Sequence, residues 1–111
     1  MSELAEGGIS LVITTVANRL QAEGLAQSVV KERLAACANL VPGVRSVFRW
    51  RGAVHEQDEV LILLKTTDEK VAPLLERLSE LHPYDLPEGI SVRAGTALDL
   101  YRDWVRDEVS Q

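Results

Sequence analysis

The sequence predicts an α+β domain with the element order β-α-β-β-α-β, followed by one further C-terminal helix. Two long runs of strand-forming residues flank Gly52 and indicate a long β-hairpin. Apolar residues recur at helical spacing before this hairpin, after it, and again near the C-terminus. The first six elements match the split βαβ, or ferredoxin-like, unit, in which two helices cover one face of a four-stranded antiparallel sheet.

The first strand and helix follow a short lead, residues 1–8. Ile9–Val16 is apolar and β-branched, which is typical of a central strand. Asn18 is a suitable N-cap, and Gln21 stands at the spacing of a capping box. The apolar spacing that follows predicts a helix over residues 19–35.

The hairpin begins at Cys37 and contains the second and third strands. Pro42 and Gly43 interrupt the second strand. Because proline removes a ladder donor and glycine tolerates unusual dihedrals, we predict a bulge there and not a strand end. The strand resumes over residues 44–50, Gly52 provides a tight turn, and the third strand returns over residues 54–66.

Two helices and a short strand complete the predicted fold. Asp68 is expected to cap the second helix, and Pro83 ends it because proline disfavours the α conformation of the residue before it. Ile90–Arg93 is predicted to be the fourth strand, and Thr96 is expected to cap the last helix.

The third strand is apolar on both of its faces over residues 60–64. A half-exposed antiparallel strand should alternate apolar and polar residues, and a chain of 111 residues has too little material to cover both sides of the sheet. We therefore predict that another copy of the chain covers the second face. Leu61, Leu63, Phe48 and Trp50 are the predicted interface residues, although the two aromatic residues could instead form a binding platform.

Composition favours one soluble domain, residues 9–111, with 46% hydrophobic residues. The net charge of −5 argues against nucleic-acid and anionic-membrane surfaces. Cys37 is the single cysteine, so an intrachain disulfide is impossible. Residues 1–8 do not resemble a secretory signal, and no run approaches the roughly 18 apolar residues of a membrane span. A cytoplasmic location is expected.

Five sequence blocks resemble the CutA divalent-cation-tolerance family. They are RLAACANLVPGV at 33–44, RWRG at 49–52, LKTT at 64–67, HPYDLPE at 82–88 and YRDW at 101–104. The resemblance implies a ferredoxin-like homotrimer akin to PII signalling proteins, with long hairpins wrapping the neighbouring subunits. It also implies cytosolic residence and a role linked to copper and other divalent metals.

The metal ligands differ from the pattern of some family members. Those members carry a cysteine in the first strand and a His-His pair before the Pro-Tyr, whereas this chain has Thr14 and Leu81-His82. A three-ligand copper site therefore cannot be transferred. Cys37 and His82 remain the candidate metal ligands, since copper and zinc favour thiolate and imidazole. Alternatively, Cys37 is a small strand residue and His82 a helix-terminal cap.

A second candidate site is a cleft around Lys65, a lysine at the end of an apolar strand. Such a lysine needs a carboxylate or a bound anion unless it extends to water. The candidate residues of this cleft are Lys65, His82, Tyr84, Glu59 and Asn39. It could bind a metal ion or, as in a PII-like regulatory module, a small anion between subunits. Alternatively, Lys65 pairs with Glu59 or Asp85.

An enzymatic function is the less favoured alternative. Acylphosphatases share the ferredoxin-like fold and use an arginine after the first strand and an asparagine on the second, and Arg19 and Asn39 could take these roles. However, residues 14–18 contain no glycine, whereas a phosphate cradle needs convergent backbone N–H groups that glycine usually frees. The sequence therefore predicts a protein that is not an enzyme.

Overall fold

The computed structural model describes residues 4–6 and 8–110. The four strands of its main antiparallel sheet are β2 (Ile9–Val16), β3 (Cys37–Trp50), β4 (Ala53–Thr67) and β5 (Ile90–Arg93), in the order β3-β4-β2-β5. Three helices are described, α1 (Arg19–Lys31), α2 (Val71–Leu81) and α3 (Asp99–Val109), and a small sheet pairs β1 (Leu4–Glu6) with β6 (Thr96–Leu98). Within these residues no helix is long and apolar enough to cross a membrane. The order confirms the predicted ferredoxin-like unit.

The hydrophobic core lies between the main sheet and the helices α1 and α2. On β4, Val60, Ile62 and Leu64 are buried, while Leu61 and Leu63 point to the other side and are partly covered. The helices contribute Ala22, Leu25, Val29, Leu74 and Leu78. The strand that is apolar on both faces therefore has one buried side and one side that α1 and α2 leave uncovered.

We call this uncovered side of the main sheet the open face. By strand alternation and register it consists of Leu11, Ile13, Thr15, Cys37, Asn39, Val41, Glu59, Leu61, Leu63, Lys65, Ile90 and Val92. Val41 is 40% exposed, Ile90 53% and Val92 47%. α3 packs against β4, where the Lys65 ammonium lies 5.7 Å from the centre of the Tyr101 ring. The chain thus presents apolar sheet surface to solvent.

The hairpin of β3 and β4 extends well beyond the rest of the sheet. β2 pairs with β4 only as far as Val60, so the hairpin residues nearer the turn pair only with each other. The register shifts between Val41 and Val44, which confirms the predicted bulge. Beyond the bulge the open face continues with Val44, Ser46, Phe48 and Trp50. Positive φ angles at Arg51 (50°) and Gly52 (80°) give the turn the geometry that two-residue hairpins favour.

The first helix ends at Lys31 and not at residue 35, which corrects the predicted boundary. Arg33 has a φ of 61°, and its amide bonds to the carbonyl three residues earlier at 3.1 Å. The Leu34 amide then bonds to the Val29 carbonyl at 3.0 Å, which completes a Schellman motif. The apolar spacing extends beyond the end of the helix because Leu34, which lies in the turn, still packs against the core.

Two predicted helix caps are wrong. Asp68 begins a short 3-10 turn before α2, and its carboxylate accepts a hydrogen bond from Ser10 Oγ at 2.6 Å and lies 3.5 Å from Arg93 Nε. It therefore connects three elements and caps none. Thr96 begins β6, whose backbone pairs with β1, and α3 starts at Asp99. The lead predicted over residues 1–8 supplies the strand that makes this pairing.

Thr14→Val should stabilise the protein by about 1 kcal/mol. Thr14 is fully buried, and its Oγ1 has no hydrogen-bond partner within the described part of the chain. Replacing an unsatisfied hydroxyl by a methyl group removes a desolvation cost.

Thr66→Val is the matched control, because the equally buried Thr66 Oγ1 donates to the Leu34 carbonyl at 2.7 Å. It should destabilise by about 1 kcal/mol. Urea denaturation at one protein concentration measures the free energy of unfolding of both variants. Equal changes of the same sign in the two variants would contradict the assignment of Thr14 Oγ1 as unsatisfied.

Candidate functional site

A buried carboxylate and a partly buried phenol form a pair where the hairpin leaves the body of the sheet. The Tyr84 hydroxyl donates a hydrogen bond to Glu59 Oε2 at 2.7 Å, and Gln57 Nε2 donates to the same hydroxyl at 3.3 Å. Glu59 is only 7% exposed. Alternation along β4 places Gln57 and Glu59 on the same side of the hairpin, and the loop after α2 brings Tyr84 across to them.

The surroundings keep Glu59 ionised and Tyr84 neutral. Burial alone would raise the pKa of Glu59, but side-chain hydrogen bonds outweigh it and hold the pKa below the ordinary value of 4.5. The donors that lower this pKa are Ser46, Tyr84, Gln57 and Thr15, and the bond from Tyr84 is 2.7 Å long. Burial, followed by the hydrogen bond to Glu59 and its negative charge, raises the pKa of Tyr84 far above the ordinary value of 10. The pair therefore holds one negative charge over the neutral pH range.

His82 connects the same loop to β2. Pro83 keeps His82 in an extended conformation and ends α2 there, as predicted. His82 Nε2 lies 2.8 Å from the Thr15 carbonyl oxygen, and the Tyr84 amide donates to His82 Nδ1 at 3.1 Å. The His82 and Tyr84 rings meet edge to face with their centres 4.7 Å apart. The imidazole is 8% exposed, so it forms part of the protein interior.

A cleft of about 730 Å³ opens beside these residues, and we call it the Glu59 cleft. Its lining includes Thr15, Ser46, Phe48, Arg49, Trp50, His55, Gln57, Glu59, Tyr84, Asp85 and Glu88. The Phe48 and His55 rings stack with their centres 5.6 Å apart on one wall. The volume lies within the range of small-molecule sites, and the combination of aromatic walls and a few convergent polar groups is typical of them.

Two of the predicted cleft residues lie elsewhere. Lys65 follows Glu59 by six residues on β4, which separates the two by about 20 Å at the rise of a β-strand. Its ammonium lies over Tyr101 instead of reaching Glu59 or Asp85. Asn39 stands opposite Leu63, and its Oδ1 lies 3.7 Å from Cys37 Sγ. Within one chain the cleft therefore contains Glu59 and Tyr84, with His82 behind them, whereas Lys65 and Asn39 lie outside it.

The two candidate metal ligands are also far apart. Cys37 pairs in register with Lys65, whereas His82 contacts Thr15, which pairs with Leu61. This separation corresponds to about 13 Å along β4. Among the described residues, no group of three or more His, Cys, Asp and Glu side chains could hold a metal ion. The described residues of one chain therefore do not form a preformed copper site.

The arginine and asparagine of the acylphosphatase alternative are engaged separately. Arg19 forms an ion pair with Glu23 at 2.7 Å one helical turn away, and its side chain is 85% exposed. Asn39 faces Cys37 on the open face. The described contacts of Arg19 and Asn39 therefore do not bring the two side chains together as a pair.

Sequence reasoning missed Gln57, Ser46 and Thr15. Gln57 and Ser46 stand opposite each other in the hairpin, on the same side as Glu59. Strand alternation counted from Glu59 would have indicated Gln57. Thr15 could not be found in this way, because it lies on β2 and comes beside Glu59 only through the pairing of β2 with β4.

Comparison with known proteins identifies the family. The family model described as CutA1 divalent ion tolerance protein matches residues 10–108. The chain belongs to this family. The divalent-cation tolerance protein CutA of Thermus thermophilus is 42% identical over 97 residues, which cover 87% of this chain and 94% of that protein. Human Protein CutA is 36% identical over 100 residues, which cover 90% of this chain but 56% of the longer human protein.

Solved structures of CutA proteins share the fold over nearly the whole chain. CutA from Synechococcus elongatus has a TM-score of 0.93 and 37% identity, and the match covers 97% of this chain and 96% of that one. A protein from Archaeoglobus fulgidus, described as the periplasmic divalent cation tolerance protein CutA, has a TM-score of 0.89 and 26% identity over 92% of this chain and 99% of its own. These CutA relatives confirm the predicted family and fold. The Thermus thermophilus and Archaeoglobus fulgidus proteins are named for divalent-cation tolerance, and none of the four names states an enzymatic activity.

Proposed function

We propose that the chain acts in divalent-cation tolerance as a homotrimer and binds a small ligand in the Glu59 cleft at the subunit interface. The observation that supports the trimer most strongly is the uncovered open face together with the overhanging hairpin. The family resemblance gives the number of copies as three.

The exposed apolar side chains support association. Phe48 is 36% exposed on the hairpin, and Trp104 is 43% exposed on α3, in addition to the exposed strand residues of the open face. Burial of apolar area stabilises by roughly 25 cal/mol per Å², and contiguous apolar surface of this kind marks interaction sites. We therefore expect Phe48, Trp50, Leu61 and Leu63 to be buried by neighbouring copies, which would also close the Glu59 cleft.

The charges of the cleft favour a cation over an anion. Three carboxylates, Glu59, Asp85 and Glu88, line it with a single arginine, Arg49. A small anion, the alternative suggested by Lys65, receives no support from that lysine within one chain, because Lys65 lies about 20 Å along β4 from Glu59. We infer that the ligand carries positive charge and contacts the aromatic wall.

A direct copper site receives less support than this cleft, because one chain offers no cluster of metal ligands within its described residues. Metal bound through Cys37 would need carboxylate, water or a second subunit to complete its coordination. A copper-linked role and a cytoplasmic location remain predictions, which metal-challenge growth and cell fractionation of a strain lacking the protein would test.

Thermal shift assays with Zn(II), Cu(II), the diamine putrescine and inorganic phosphate test the proposed ligand class. At least one cation should raise the melting temperature of the wild type, whereas phosphate should not. Glu59→Gln should abolish this rise because it removes the buried negative charge.

Asp58→Asn is the matched control for this assay. Asp58 also lies on the hairpin but is 85% exposed and pairs with Arg45 at 3.1 Å. It should respond to the ligand like the wild type. Stabilisation by phosphate alone, or a cation response that survives in Glu59→Gln, would contradict the proposed cleft.

A further inference from the structure

The imidazole of His82 has a defined hydrogen-bonding state. A backbone amide can only donate, so His82 Nδ1 accepts from Tyr84 at 3.1 Å and carries no proton. A carbonyl oxygen can only accept, so Nε2 carries the proton and donates to Thr15 at 2.8 Å. Both ring nitrogens of this neutral tautomer are therefore used within the fold.

We infer that His82 is a positioning residue, which holds Tyr84 against Glu59 and is not available as a metal ligand. This inference rests on the proposed function of the Glu59 cleft, since it assigns His82 a role in building that cleft. The loop over residues 82–89 forms neither helix nor strand. The His82 imidazole connects the start of this loop to β2. The Tyr84 ring packs edge-on against the imidazole, with the two ring centres 4.7 Å apart.

Metal binding would break this arrangement. A metal ion needs a nitrogen lone pair, and the only one on this tautomer, at Nδ1, accepts the Tyr84 amide. At 8% exposure the ring offers little access. Ligation would release the Tyr84 amide and require the buried ring to turn out of its pocket. His82 is the one histidine that this chain keeps from the His-His pattern of other members. Its imidazole thus holds Tyr84 in place in the cleft and does not bind a metal ion.

Amide hydrogen exchange of the intact protein, followed by NMR, tests the assignment. The Tyr84 amide should be protected in the wild type, and His82→Leu should accelerate its exchange about tenfold or more, because the acceptor is lost. His82→Asn keeps an acceptor near the Nδ1 position and should restore part of the protection. The Val12 amide, in the centre of β2, reports whether the whole fold has loosened, and its exchange should stay unchanged.

Imidazole ¹⁵N spectra of the wild type give a second test that needs no variant. They should show His82 protonated at Nε2 and bare at Nδ1, and with Zn(II) added Nδ1 should keep the chemical shift of a hydrogen-bonded nitrogen without a metal. Unchanged Tyr84 exchange in His82→Leu, or a His82 ring nitrogen that takes the chemical shift of a metal-bound nitrogen with stoichiometric Zn(II), would overturn the inference. Failure of the cleft to bind any cation would instead count against the proposed function, and the exchange and ¹⁵N results would stand.

Discussion

Leu63→Asp is expected to abolish the trimer and to yield monomeric or insoluble protein. Leu63 lies at the centre of the open face, between Ile13 of β2 and Asn39 of β3. A carboxylate there would be buried without a partner when copies associate, at a cost of several kcal/mol in each subunit. Size-exclusion chromatography and solubility measure the outcome.

Leu20→Asp is the matched control, because it makes the same chemical change at a leucine that is 81% exposed on α1. This variant should keep the assembly and the melting temperature of the wild type. A Leu63→Asp protein that remained assembled with an unchanged melting temperature would show that the open face is not the interface.

Glu59→Ala is expected to destabilise the protein by about 2–3 kcal/mol, because it leaves the part-buried hydroxyl of Tyr84 without its carboxylate acceptor. Glu59→Gln should cost less, since one carbonyl oxygen can still accept. The control Glu56→Ala removes an exposed carboxylate three residues earlier on the same strand and should change stability by less than about 0.5 kcal/mol. Urea denaturation at neutral pH measures all three.

The same pair should give a pH signature. The folded-state pKa of Glu59 lies below its ordinary value of 4.5, so its contribution to stability is present above pH 4.5 and is lost as pH falls through the lower folded value. Wild-type stability should therefore fall more steeply below pH 4.5 than that of Glu59→Gln. Parallel curves for the two proteins would mean that the hydrogen bonds to this carboxylate do not favour its charged form.

Local signals were enough to predict most of the fold. Pro42 and Gly43 fixed the bulge, Gly52 fixed the turn, and apolar spacing located all three helices. The errors have a common cause, which is pairing between distant segments. Thr96 suits a helix cap, but it pairs with β1 near the N-terminus and so lies in a strand. Asp68 also suits a helix cap, but its carboxylate instead accepts a hydrogen bond from Ser10, 58 residues earlier in the chain.

The site was predicted only in part for the same physical reason. The sequence indicates both Glu59 and Tyr84, but it does not show that they bond to each other, nor that His82 faces Thr15. Lys65 was grouped with them because it precedes the same helix. Distance along a strand, about 3.3 Å per residue, separates Lys65 from the cleft, and the sequence order of the loops does not reveal this.

The central claim is that the open face and the hairpin are covered by two further copies of the chain. Multi-angle light scattering at micromolar concentration tests it most directly. The proposed assembly predicts a mass three times that of the 12.3 kDa chain, whereas a mass equal to one chain would contradict it.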